Sequence, residues 1–210
     1  MKIIALSDTH GQHEKIKDVP DGDVLIVAGD VTHDITLHSI ITFATWLSKF
    51  PHEHKIVIAG NHDGCFTRSS LPELMMKEKG IIYLQDEMIT INGLIFYGTP
   101  WSPNFMNWHF MADEKTLYDI FINIPKRTDV LITHTPAFSQ FDKIKQIREI
   151  RPSNVGSKSL KIIKETRLDN LKCHIFGHVH ESHGNDKMNY NVSVLDEKYR
   201  MVNKVTEIEI

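Results

Sequence analysis

The chain has 210 residues, 41% hydrophobic and 24% charged, with a formal net charge of -3. That length supports one sizeable core, so a single domain over residues 1–210 is expected, and the near-neutral balance excludes a global basic field recruiting nucleic acid or a membrane. Two cysteines make no disulfide framework and no stretch reaches transmembrane length, which predicts a soluble, cytoplasmic chain.

In chain order, a first apolar run from Lys2 to Ser7 ends on Asp8-Thr-His10. The second, Val24-Leu-Ile-Val-Ala, enters Gly29-Asp30, and its unbroken apolar character reads as a strand buried on both faces. A helix is predicted over 36–50, and a third strand, 55–59, opens onto Gly60-Asn-His-Asp63. After a helix at 71–79 and a short strand at 81–84, Met88–Ile91 and Leu94–Tyr97 flank Asn92-Gly93, whose tolerance of positive φ predicts a two-residue type I′ hairpin. A helix at 113–123 precedes strand 129–133, which reaches His134; a helix at 157–168 precedes strand 172–176, which runs into Gly177-His-Val-His180. The tail, near 188–195 and 205–210, alternates without a helical period and reads as added antiparallel strands.

About ten strands exceed one comfortable sheet. The expected fold is therefore α/β: a two-sheet αββα-type sandwich of mixed sheets flanked by helices, with a metal site at the C-terminal ends of the strands. Five apolar strands carry Asp, His and Asn to one edge. Singly, each motif has a bland alternative: Asp8-x-His10 a solvated turn, Gly29-Asp30 an ordinary turn, Gly60-Asn61-His62-Asp63 an Asx-turn with a helix cap. Gly177-His178-Val179-His180 is the strongest, because two alternate imidazoles at a buried strand end need partners and suit a metal better than a core. All five occur in one order, and carboxylate, amide and imidazole ligands without thiolate suit Mn²⁺, Fe or Zn²⁺.

That ordered series, from Asp8 to His180, resembles the signature of the calcineurin-like metallophosphoesterases. Gly98-Thr-Pro-Trp101-Ser-Pro103, Thr133-His-Thr-Pro136 and Phe176-Gly-His-Val-His-Glu-Ser-His-Gly184 are similar to the metallophosphoesterase-domain-containing branch, some members of which are cyclic-nucleotide phosphodiesterases. The resemblance implies two divalent metal ions: Asp8, His10 and His180 on one, Asn61, His134 and His178 on the other, and Asp30 bridging. It implies hydrolysis of a phosphodiester, of small nucleotides or cyclic nucleotides, by a metal-bound hydroxide, with His62 as the catalytic group at the leaving oxygen. A phosphomonoesterase or nuclease is the alternative within the family, and a non-catalytic metal-binding scaffold the alternative outside it. A scaffold is expected to have lost ligands, and none is missing here. The expected partner is a small phosphoester or nucleotide, with nucleic acid less favoured and no membrane; the sequence leaves the oligomeric state open.

One departure stands out. Protein-phosphatase relatives carry Gly-Asp-x-x-Asp-Arg-Gly, and Gly29-Asp30-Val-Thr-His33-Asp34 has His at the second acid and no Arg-Gly. The usual carboxylate partner of His62 is missing from that position, which leaves its partner open with Asp34 and Asp63 as candidate substitutes, and a dianionic monoester loses its bidentate guanidinium. Trp101, Asn104, Phe105 and Trp108 read as a packing loop or as a base-stacking wall. His13, His38, His52, His54, His109 and His174 read as surface or satisfied structural histidines, His183 as a residue of the rim, and Cys65 as structural. The stretch from Asp142 to Arg167 holds eight basic residues against three acidic, mostly a solvated helix face.

Overall fold

The computed structural model describes residues 1–144 and 154–210. One sheet runs in the order β13 (Thr206–Glu209), β1 (Lys2–Leu6), β2 (Val24–Ala28), β3 (His54–Ile58) and β4 (Ile82–Tyr83), parallel throughout except for β13. The other runs β11 (Gly184–Asn185), β12 (Asn189–Asn191), β10 (Cys173–Phe176), β9 (Val130–Thr133), β6 (Leu94–Thr99) and β5 (Glu87–Ile91). A short parallel pair, β7 (Ser102–Pro103) and β8 (Met111–Ala112), brackets the loop over 104–110. The expected hairpin is β5–β6, with Asn92 and Gly93 at φ 49° and 81°.

Strand alternation builds three apolar layers. Ile3, Ala5, Ile26, Ile56 and Ile58 face Phe96, Val130, Ile132 and Ile175 between the sheets. On the outer face of the first sheet Ile4, Leu6, Leu25 and Val27 pack against Phe43 and Leu47 of α1 (Leu37–Leu47) and Met76 of α2 (Leu71–Glu78). On the outer face of the second, Tyr97 and Leu131 pack against Leu117 and Phe121 of α3 (Glu114–Phe121) and Leu160 and Ile163 of α4 (Lys158–Arg167). Strands buried on both faces explain the unbroken apolar runs, and the layers make the predicted αββα sandwich of mixed sheets. Thr36, Asp113 and Ser157 cap α1, α3 and α4 by accepting a bond from the amide three residues on.

The tail departs from expectation. Of the predicted strand at 188–195 only Asn189–Asn191 forms, and it pairs parallel to β10, while β13 is antiparallel to β1 as expected. Among the described residues no helix is long and apolar enough to cross a membrane.

Candidate active site

The parallel strands β1, β2, β3, β9 and β10 all end at one edge, where backbone bonds tie neighbouring strand ends within each sheet. Asp8 N donates to Gly29 O, His10 N to Asp30 O, and Gly177 N to His134 O, each at 3.0 Å. Asp8, His10, Asp30 and His178 have φ of 58°, 42°, 53° and 67°. Left-handed backbone is uncommon outside glycine, and strain of this kind gathers at functional sites.

The side chains converge on one spot. Ligand atoms of Asp8, His10 and His180 lie within 4.8 Å of one another, as do those of Asp8, Asp30 and His134 and those of His10, Asp30 and His62. Asp30 Oδ2 is 3.6 Å from His10 Nε2 and 3.3 Å from His134 Nε2, so it stands between the two groups. His134 Nδ1 donates to Ala28 O across the sheets at 3.0 Å, which turns Nε2 toward Asn61 Oδ1 at 2.9 Å. Likewise His180 Nδ1 donates to Asp196 O at 3.0 Å and aims Nε2 at Asp8 Oδ1, 3.4 Å away. The His178 ring lies against that of His134, with centroids 5.0 Å apart, and its amide donates to both Asp8 oxygens. All seven sequence-named ligand residues thus share one site.

Electrostatics make this a poised cluster. Burial pushes the Asp8 and Asp30 carboxyls up, but His180 beside Asp8 and His134 beside Asp30 hold both below the usual carboxylate range. Against their own burial, His134 and His180 rise to about 9 on their carboxylate partners. Burial drives His10 down to about 4 and His178 to about 3, so both stay neutral with a free lone pair. Both His10 ring nitrogens are buried with no hydrogen-bond partner among the described residues. Orphaned imidazole nitrogens, two anionic carboxylates and a carboxamide oxygen form a donor set that fits divalent ions, whose binding would release the protons on His134 and His180.

His62 lies at the same edge, and among the described residues no carboxylate bonds to its ring. Its amide donates to Asp30 Oδ1 at 2.8 Å, its ring lies 4.8 Å from that of His10, and burial lowers its pKa. Neither sequence alternative orients it. Asp34 accepts from Thr36 and Ser39 at the start of α1. Asp63 is buried and accepts from the amides of Val31, Thr32 and Gly60 and the Thr32 hydroxyl, which fixes the two turns carrying Asp30 and Asn61. Burial and the nearby Asp30 charge raise Asp63 to about 6.

A cleft of about 880 Å³ opens over the cluster, lined by Phe105, Trp108, Phe138 and Tyr199 among others. The 101–108 stretch divides: Asn104, Phe105 and Trp108 reach the cleft, whereas Trp101 donates to Asp86 and packs edge-on to Phe110. Of the histidines set aside, His13, His52 and His174 are buried and His183 is exposed. Cys65 is buried, with burial pushing its thiol up to about 12, as befits a structural residue.

In the basic stretch Lys145, Glu149, Arg148 and Arg151 lie outside the described residues. Lys158 and Lys161 hold their ammonium groups over the Phe138 ring, at 5.5 and 5.9 Å. Lys164 corrects the solvated-face reading: it is buried and donates to Gln140 Oε1, His174 Nδ1 and Asn189 Oδ1 at 2.6, 2.8 and 2.6 Å. With Nδ1 accepting, neutral His174 donates from Nε2 to Thr133 Oγ1 at 2.7 Å, beside His134 in the chain.

The sequence motifs did not reveal the outer contacts. Ser7 and Ser193 hydroxyls donate to Asp8 Oδ2, and the Tyr199 ring packs on His10 and His180 with centroids 4.8 and 5.4 Å apart. A short serine or a tail tyrosine carries no spacing signal.

Two mixed sheets with helices outside and a carboxylate–imidazole cluster at their shared edge define an α/β protein with a candidate metal centre. A sequence model of the family "Calcineurin-like phosphoesterase" matches residues 1–182, and the chain belongs to that family. It is 31% identical over 236 aligned residues to "Metallophosphoesterase domain-containing protein 1" of Homo sapiens, covering 100% of this chain and 71% of that protein. It is 35% identical over 199 residues to a UPF0046 protein of Caenorhabditis elegans, covering 88% of this chain and 65% of that one. The fold is similar to the crystal structure of TT1561 of Thermus thermophilus, with a TM-score of 0.57, 14% identity and coverage of 93% of this chain and 89% of that one.

Proposed function

We propose that this chain hydrolyses phosphodiesters of small nucleotides, cyclic nucleotides included, with two divalent ions. Asp8, His10 and His180 would hold one ion, Asn61, His134 and His178 the other, and Asp30 both. When bound, the pair supplies Lewis acidity toward the phosphoryl oxygens and a nucleophile made by lowering the pKa of water. The remaining work falls to the chain: Asp30 spaces the two donor groups, the second-sphere bonds of His134 and His180 keep their Nε2 atoms aimed, and His62 faces the departing oxygen.

The observation that carries the diester reading is the composition of the cleft. Among the described residues lining it there is no arginine, the lone cationic lysine is Lys158, and aromatic rings face the space. A dianionic monoester gains most from a guanidinium clamp; a monoanionic diester with a base to stack needs it less. Two buried thiols, Cys65 and Cys173, both raised by burial to about 12, fit a reducing cytoplasm.

The test is a screen of monoesters, diesters, cyclic nucleotides and oligonucleotides with added Mn²⁺, followed by kcat/KM for bis-nitrophenyl phosphate against nitrophenyl phosphate. The expected result is hydrolysis dependent on metal and faster on the diester. A clear preference for the monoester would sink the diester assignment.

A further inference from the structure

We infer that Trp108 is a positioning residue for His62, holding the imidazole by ring packing where the described residues supply no hydrogen bond. The inference rests on the reading of His62 as the group at the leaving oxygen. Among the described residues no carboxylate or other side chain bonds to the His62 ring, and the two acids the sequence offered, Asp34 and Asp63, are committed elsewhere. An imidazole attached through a soft, roughly two-fold torsion does not hold one orientation unaided. Trp108 supplies the restraint: its ring centroid lies 4.7 Å from that of His62 with planes inclined at 44°, while the His10 ring packs edge-on at 4.8 Å and 77°.

The indole is itself held. Phe105 packs edge-on against it, with centroids 5.4 Å apart. The loop is anchored at its base by Ser102 N to Phe110 O and Asn104 N to Ala112 O. Its crest is sewn to the metal edge, because His109 N donates to Asn61 O at 3.1 Å. The His109 ring also lies so close over Gly64 that a Cβ there would come within 2.2 Å of it. The loop carrying Trp108 is therefore registered on the same turn that carries Asn61 and His62. An indole placed only to wall the cleft needs no such registration.

The experiment uses full-length protein loaded with diamagnetic zinc, and compares wild type with Trp108→Leu, Trp108→Phe and His62→Ala. The His62 ring-proton resonances are identified by their loss in His62→Ala. In wild type and Trp108→Phe they are expected to be displaced by the facing ring current, and in Trp108→Leu to return to the ordinary imidazole range. In parallel, Trp108→Leu should lower kcat on an alkyl diester about 3- to 10-fold, the scale of one aromatic pair, and lower it less on a nitrophenyl diester. Trp108→Phe should restore most of that loss. An undisplaced resonance in wild type, or a Trp108→Leu effect confined to KM and equal for both esters, would overturn the inference. If His62→Ala leaves the leaving-group dependence unchanged, or no phosphoester is cleaved, the role given to His62 above falls. The resonance position then decides the Trp108–His62 packing alone: displaced supports it, undisplaced overturns it.

Discussion

Gly177 lies so close to Asp8 that a Cβ at Gly177 would sit 2.2 Å from Asp8 Oδ2 and equally close to Ser7 Oγ. Gly60 stands in the same relation to Asp30, whose Oδ1 would meet a Cβ at 2.3 Å. In both motifs the glycine makes room for a carboxylate delivered by a different strand. Gly177→Ala should displace Asp8 and weaken metal binding about 10- to 100-fold, the range for lost supporting contacts. Calorimetric titration with Mn²⁺ checks this; unchanged affinity in a folded variant would show that Asp8 is not a ligand.

Asp30 and His180 should differ in what they take away. Asp30 stands between His10 and His134, whereas His180 approaches Asp8 alone. Asp30→Ala is expected to lose both ions and His180→Ala to lose mainly one. Metal content after purification without chelator measures the difference, and equal stoichiometries in the two variants would contradict a bridging carboxylate.

His62→Ala should leave metal content intact while lowering kcat about 10²- to 10⁴-fold on an alkyl or nucleoside diester, the usual worth of general acid catalysis. The loss should shrink on a nitrophenyl diester, whose leaving group needs little help. A leaving-group series on both proteins checks this, and equal losses throughout would argue against proton donation.

Lys164 predicts a pH dependence of stability. Burial lowers it from its ordinary value to about 7, with Asp186 and Glu165 pulling the other way. Above that pH the unfolded chain, with lysine near ~10.4, binds the extra proton, so stability linked to this group rises with pH between the two values and is flat below the lower. The slope is at most about 1.4 kcal/mol per pH unit. Below pH 7 the ammonium satisfies three acceptors, so Lys164→Met should leave Gln140, His174 and Asn189 unmatched and lower Tm there. Thermal unfolding of both proteins from pH 6 to 10 tests this; a slope that survives in the methionine variant would assign it elsewhere.

Much of this architecture was legible because strands buried on both faces write themselves as unbroken apolar runs. Val24–Ala28 and Val130–Thr133 are examples, and each run ends where the chemistry begins. The parallel pairing of Asn189–Asn191 was not legible, since a three-residue strand takes its direction from its neighbour and not from its own pattern. Lys164 was misread by counting charge. Its spacing of four from Leu160 places it on the apolar face of α4, where both residues are buried. Trp108 was visible only as an aromatic residue in a loop, because its relation to His62 depends on a bond between His109 and Asn61, remote in sequence.

The bonds from Ser193 and Asp196 to the site have a consequence for biosynthesis. The residues they hold in place, Asp8 and His180, belong to one candidate ligand group, and β1 itself pairs with β13, about 200 residues on. A ribosome-bound chain presents Asp8 and His10 early but lacks the serine and the carbonyl that aim that half of the donor set. Ordering of that half of the donor set thus waits for the segment from Ser193 onward, and pairing of such distant segments makes it a slow step. Released fragments ending before Ser193 are expected to retain no tightly held ion there, which metal analysis of such fragments against the full chain would decide.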